Sequence, residues 1–263
     1  MSAATAEAFA RARRTAAGLA AWPGDFPETL EDAYAQQQAV ASAWGRPSGG
    51  VKVGRVLGEW AERFGVNRFS GPIDADAIRQ ADEEAIFPVI AGGTALLECE
   101  IVAVLGQDAP DGAISPEQAR DLVAGLHVGI EVAGSPMADI NALGPLASIA
   151  CFGNNNGALL GPAIADWRAL DLSALGCIAR IDGAVVGQGD TSRLPGGIWA
   201  ALAFAATQGA ALGQPLREGQ IVCTGALTGM HPIAAGQRAE ADFGALGVVR
   251  CHAVAQAPHG AMD

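Results

Sequence analysis

Two periodicities divide the chain. Helix-favouring, Ala-rich segments fill the first part, and alternating apolar and polar positions cut by glycine turns fill most of the rest. A helix is predicted over residues 3–19, broken at Trp22-Pro23-Gly24-Asp25. A second follows Thr29, an N-cap with Asp32 three residues on, and runs through residues 33–44 to the Gly45 break. Residues 57–64, 115–124 and 198–212 are further helices, the second opened by Ser115-Pro116-Glu117-Gln118 and the third ended by Gly213. Strands are predicted over residues 51–53, 96–105, 127–133, 219–224, 239–243 and 248–254, with a hairpin turning at Asp182-Gly183. Ser70-Gly71-Pro72 reads as a turn, residues 77–85 as a surface loop or helix, Gly153-Asn154-Asn155-Asn156-Gly157 as a loop, and residues 258–263 as a frayed tail.

The strand over residues 96–105 carries the best clue to chemistry. Alternation puts Glu98 and Glu100 on one face and Cys99 and Ile101 on the other. Two carboxylates sharing an interior face must take up a proton, find cations or bind a metal; on an exposed strand they are only a solvated edge. The same alternation puts His127, Gly129 and Glu131 on one face of residues 127–133. Lys52 sits between Val51 and Val53 and either reaches a polar cleft or snorkels to solvent, the more ordinary outcome.

Composition narrows the classes. A chain of 263 residues can bury a sizeable core. It is 50% hydrophobic but 5% aromatic, so packing rests on small aliphatic residues, and 35 glycines argue against a helical bundle. A net charge of -12 with no visible basic patch sets nucleic acid aside as a partner. Cys99, Cys151, Cys177, Cys223 and Cys251 stand isolated in apolar contexts, which suits buried thiols in a reducing cytoplasm. The Arg-bearing start contains Glu7 and lacks a continuous apolar region, so it reads as an amphipathic helix rather than a secretion signal, and no later stretch reads as a membrane span.

Several landmarks fall into a recognisable order. Val51-Lys52-Val53-Gly54, Leu97-Glu98-Cys99-Glu100-Ile101, Gly129-Ile130-Glu131-Val132 and Gly219-Gln220-Ile221-Val222-Cys223-Thr224-Gly225 together resemble the 2-keto-4-pentenoate hydratase and 4-oxalocrotonate decarboxylase family of the fumarylacetoacetate hydrolase superfamily. Asp32-Ala33-Tyr34-Ala35-Gln36-Gln37 and the segment from Ala239 to Gly247 extend the resemblance over nearly the whole chain. It implies an α+β fold: a mixed β-roll body over residues 86–263 with a smaller N-terminal α/β lobe over residues 1–85, packed as one catalytic unit. It also implies Mg²⁺ or Mn²⁺ held by Glu98, Glu100 and Glu131, a choice of donors that suits a hard dication. Lys52 matches the family's lysine, a partner for the substrate carboxylate or a proton-transfer group. The implied reaction is addition of water to a short 2-hydroxy-2,4-dienoate, through an enolate stabilised by the metal as a Lewis acid, in aromatic-compound catabolism. Decarboxylation of a 4-oxalocrotonate-type diacid uses the same ligand set. Homo-oligomers are usual in the family, and a complex with a partner enzyme of the pathway is a further implication.

The match departs from the family at several positions. Gly54-Arg55-Val56-Leu57 stands where a Leu-Thr-Ser type loop is common, and Val132-Ala133-Gly134-Ser135-Pro136 lacks the usual Asp and Arg after the third acid. A non-catalytic subunit that stabilises an active homologue is therefore the reading from another class. Arg55 and Arg193 are candidate replacements for carboxylate binding, although surface arginine is the plainer reading of both. His231, in Thr228-Gly229-Met230-His231-Pro232, is a candidate for acid-base work, and Thr224 and Gly225 are candidates for contact with substrate. His127 is either an orienting partner of Glu131 or a packed neutral histidine, and Asn154, Asn155 and Asn156 either offer amide contacts or form a simple turn.

Overall fold

The computed structural model describes residues 3–81 and 85–259. The N-terminal part opens with α1 (Ala3–Arg14) and α2 (Leu30–Trp44). Thr29 and Asp32 form the anticipated capping box on α2, and Gly45 ends it in the left-handed conformation at φ 72°. α1 is shorter than the predicted 3–19 helix. Ala16 turns out at φ 51°, and Ala17 and Leu19 then bridge to Ala91 and Met137, so pairing with distant chain overrides local helix propensity.

Next come β1 (Ser48–Arg55), the short α3 (Glu59–Phe64) and β2 (Arg68–Asp74). The predicted turn at Ser70-Gly71-Pro72 is instead the middle of β2. β2 is the edge strand beside β1, a position where a proline without an N–H is tolerated. Residues 77–85, expected as loop or helix, finish a 3₁₀ turn, supply β3 (Ile78–Gln80) and begin β4 (Ala85–Val89); positions 82–84 lie outside the described residues. β5 (Thr94–Leu105) is followed by α4 (Pro116–Asp121), whose capping box joins Ser115 to Gln118. That helix stops before residue 124 because Val123 already belongs to β6 (Val123–Ser135).

α5 (Pro145–Ala150) and a tight turn lead to β7 (Asn155–Ala163), so the predicted 153–157 loop is a turn only as far as Asn154. β8 (Gly176–Ile181) and β9 (Ala184–Asp190) form the predicted hairpin, with Asp182 and Gly183 both at positive φ. α6 (Gly197–Ala211), β10 (Ile221–Cys223), β11 (His231–Pro232), β12 (Arg238–Asp242) and β13 (Val248–Ala255) complete the order. Of the anticipated 258–263 tail, positions 260–263 lie outside the described residues.

Two sheets make the mixed α+β roll. The larger runs β2-β1-β10-β5-β6-β7-β3 with β11 paired to β5, and the smaller runs β4-β13-β12-β8-β9. One face of β5, carrying Leu97, Cys99, Ile101 and Ala103, packs into the main core with Cys177, Ala179, Ala241 and Cys251 of the smaller sheet and with α6. The opposite face of β5 is thereby free to present Glu98 and Glu100. All five cysteines are buried free thiols. Among the described residues no helix is long and apolar enough to cross a membrane.

Candidate active site

Sheet register brings the charged residues together. β5 and β6 run antiparallel with Glu98 opposite Glu131 and Glu100 opposite Gly129, so all three acids fall on one face. Lys52 reaches that face through β10, because Lys52 pairs with Cys223 and Cys223 pairs with Val102, two residues from Glu100. Its neighbour Val53 turns into the core. Lys52, Glu98, Glu100 and Glu131 are all buried, with Glu100 and Glu131 at 0% exposure.

Ligand-capable oxygens of the three glutamates lie within 4.8 Å of one another. Lys52 Nζ is 3.1 Å from Glu131 Oε1, which also accepts from Asn155 Nδ2 at 3.0 Å. The backbone N–H of Gly225 donates to Glu100 Oε2 at 2.8 Å. Glu100 Oε1 and Glu131 Oε2 are buried with no hydrogen-bond partner among the described residues. Buried carboxylate oxygens in native proteins are almost always satisfied, so this pair of orphaned acceptors points into a place built for a cation. Three negative charges against the one positive charge of Lys52 leave -2 if all are ionised, which a single dication neutralises. The residues present therefore fit a divalent metal.

The electrostatics agree. Burial pushes Glu98 up to about 7, with Glu131 adding to the effect and Lys52 and Arg55 opposing it. Burial likewise raises Glu100 well above the usual carboxylate range, with Glu131 and Glu98 adding repulsion. For Lys52, burial disfavours the ammonium, but the surrounding carboxylates outweigh it and hold the pKa above its ordinary value. Lys52 is thus a standing cation.

A tight turn seals the Lys52 stem. Phe152, Gly153 and Asn154 lie consecutively at φ 61°, 64° and 60°, a conformation two non-glycine residues keep only where surrounding structure enforces it. A Cβ on Gly153 would stand 2.9 Å from Lys52 Cδ and 3.0 Å from Gly71 Cα, so glycine is required there. Beside the turn opens a cavity of about 270 Å³. Lys52, Glu98, Arg55, Asn154 and Gly225 supply its polar lining, and Val56, Leu57, Trp60, Phe69, Pro145 and Met230 its apolar wall. Three larger cavities contain none of the three acids.

The other sequence candidates divide. Arg55 lines the cavity and donates from Nη1 to the Arg193 carbonyl at 3.3 Å, while Arg193 is itself exposed and outside the lining. Gly225 is in the lining, but Thr224 is not: its hydroxyl donates to Ile101 O at 2.7 Å and ties β10 to β5. His231 is not brought to the acids. It pairs with Leu97, whose side chain is on the core face of β5, and its Nε2 lies 3.2 Å from Thr228 Oγ1, with burial holding its pKa below the ordinary value. His127 likewise meets the Gly161 carbonyl through Nδ1 at 2.9 Å rather than Glu131. Asn155 is the residue whose role sequence reasoning left open, and the only sign of it was the asparagine run.

Comparison with known proteins follows the same line. Residues 73–254 match the model of the fumarylacetoacetate (FAA) hydrolase C-terminal family. The chain is 27% identical over 250 residues to the 2-keto-4-pentenoate hydratase of Paraburkholderia xenovorans (strain LB400), covering 93% of this chain and 92% of that protein. Among solved structures, 4-oxalocrotonate decarboxylase from Pseudomonas putida G7 complexed with calcium and acetate superposes with a TM-score of 0.81 at 22% identity, over 96% of each chain. The same enzyme complexed with magnesium and adipate gives 0.80 at 21% identity, over 96% of this chain and 97% of that one.

Proposed function

The chain belongs to the fumarylacetoacetate hydrolase family, and on that premise we propose that it is a divalent-metal-dependent lyase adding water to a short 2-hydroxy-2,4-dienoate. The observation that carries this reading is the buried cluster of Glu98, Glu100 and Glu131 with two unpartnered oxygens beside a cavity. These residues would hold Mg²⁺ or Mn²⁺. When bound, such an ion supplies Lewis acidity toward a chelating 2-oxo or 2-hydroxy acid, stabilising charge that develops on its C2 oxygen.

The chain's own groups do the remainder. Gly225 N–H and Asn155 Nδ2 fix one oxygen each of Glu100 and Glu131, which turns their other oxygens toward the shared centre. Lys52, kept charged by the acids around it, attracts the substrate carboxylate and can return a proton from Nζ, but it is no resting base. Arg55 offers a guanidinium fork to a carboxylate in the cavity. Trp60, Phe69 and Val56 offer the carbon chain an apolar wall to pack against. The buried free thiols suit a reducing cytoplasm. A role in aromatic-compound catabolism, as a homo-oligomer that can join a partner enzyme of the pathway, belongs to the same proposal.

Arg55 also favours one second reading. As a cation apart from the Lys52–Glu131 pair, it suits the second carboxylate of a 4-oxalocrotonate-type diacid, whose decarboxylation is the alternative reaction. Separate assays with Mg²⁺ or Mn²⁺ on 2-hydroxypenta-2,4-dienoate and on 2-oxohex-3-enedioate, following the conjugated chromophore and CO₂, distinguish the two. Loss of the dienol without CO₂ is the expected result. CO₂ release from the diacid would replace the hydratase reading, and no turnover of either with metal bound would favour a non-catalytic subunit.

A further inference from the structure

The turn that covers Lys52 separates two cavities. Gly153 and Asn154 line the first, beside the acids, whereas Phe152 and Asn155 line a second of about 430 Å³. Into the wall of this second cavity projects Arg13, from the last turn of α1, only 4% exposed. Its guanidinium carbon sits 4.4 Å from the centroid of the Phe152 ring. Nη2 makes one long hydrogen bond to the Cys151 carbonyl at 3.4 Å and faces Cys151 Sγ at 3.9 Å. Among the described residues Nε has no hydrogen-bond partner, and no carboxylate pairs with this arginine. A guanidinium does not shed its proton, so a buried one without a counter-ion is a costly arrangement unless something else supplies negative charge.

The acids nearby among the described residues are already committed. Asp74 and Asp76 line the same cavity, but both pair with Arg46, at 3.2 Å for Asp74, and Asp74 also accepts from Trp44 Nε1 at 3.0 Å. Arg79 lines the cavity from the exposed side with no ion pair among the described residues. Among the described residues that line the cavity or pair with its lining, Arg13, Arg46 and Arg79 against Asp74 and Asp76 leave one net positive charge, in a chain whose total is -12. Local positive charge against an opposite global field marks a place for an anion.

We propose that this second cavity binds a small carboxylate or phosphate anion between Arg13 and Arg79, at a site separate from the three glutamates. Guanidinium forks bind either group through paired N–H donors, and the Arg13 fork is held in place by the Phe152 ring. The site does not depend on which reaction the glutamates support.

Calorimetric titration of the metal-loaded protein with inorganic phosphate, and separately with succinate, tests the proposal. Saturable binding of at least one anion at one site per chain is expected, and the tighter of the two names the anionic group recognised. Arg79→Ala, at an exposed position, is expected to weaken that binding at least tenfold. Arg13→Met is expected to do the same, with its thermal melt showing whether the fold survives. Glu131→Gln is expected to leave the anion affinity unchanged. The proposal is overturned by the absence of saturable binding of either anion, by equal affinity in Arg79→Ala and the unaltered protein, or by loss of the binding in Glu131→Gln.

Discussion

Lys52→Met tests the electrostatics of the site most sharply in metal-free protein. Lys52 is 3% exposed, and its Nζ lies 3.1 Å from Glu131 Oε1. Removing one partner of a buried ion pair costs about 3–5 kcal/mol, because the other charge stays buried and unpaired. At roughly 2–4 °C per kcal/mol for a domain of about this size, the melting temperature should fall by roughly 6–20 °C at pH 8. The loss should depend on pH, with a defined sign. Burial raises Glu98 from 4.5 to about 7 and Glu100 well above the same starting value. A carboxyl whose folded pKa lies above its unfolded one contributes stability that is fully present below the unfolded value and lost as pH rises through the folded value. Lys52 holds both values down, so its removal raises them further and steepens the decline of stability from about pH 5 to about pH 8. At pH 5 Glu98 and Glu100 carry protons with or without Lys52, so their share of the deficit should vanish and the total loss should be smaller than at pH 8. Melts followed by circular dichroism in chelator-treated protein measure this. An equal loss at pH 5 and pH 8, or no loss at pH 8, would refute the reasoning.

Three further outcomes follow from the same geometry. Asn155→Ala frees Glu131 Oε1 from one of its two partners and should weaken metal affinity by about 10–100-fold, measured by competition with a fluorescent chelator; an unchanged affinity would remove Asn155 from the site. Because Glu98 sits at about 7 without metal, binding should displace a proton near neutrality and strengthen from pH 6 to pH 8. Calorimetry in buffers of different ionisation enthalpy reads that proton directly, and identical heats in all buffers would contradict it. Gly153→Ala forces a Cβ to within 2.9 Å of Lys52 Cδ at a positive φ, so turnover of 2-hydroxypenta-2,4-dienoate should fall at least tenfold while the metal stays bound; full activity would show that the turn does not fix Lys52.

What could be read in the sequence was what local period determines. Alternation placed Glu98 and Glu100 on one face and Cys99 on the other, and the core took the Cys99 face. Period alone could not bring Lys52 to them, since that depends on β10 lying between β1 and β5, a pairing between parts of the chain far apart in sequence. Register likewise places His231: its pairing with Leu97 puts it on the core face of β5, although its loop is next to Gly225 and Met230 of the cavity. Ser70-Gly71-Pro72 has the composition of a turn, and only its edge position made it a strand. β7 was hidden because it begins with two asparagines, which favour turns, and is held as a strand by its pairing with β6.

The central claim is that Glu98, Glu100 and Glu131 together hold one dication. Manganese titration followed by electron paramagnetic resonance, on the unaltered protein and on Glu100→Gln, tests it directly. One Mn²⁺ per chain is expected, with affinity lowered by about 100-fold or more in the variant, since losing a ligand should cost at least as much as losing a group that orients one. Equal affinity in the two proteins, with both folded, would contradict it.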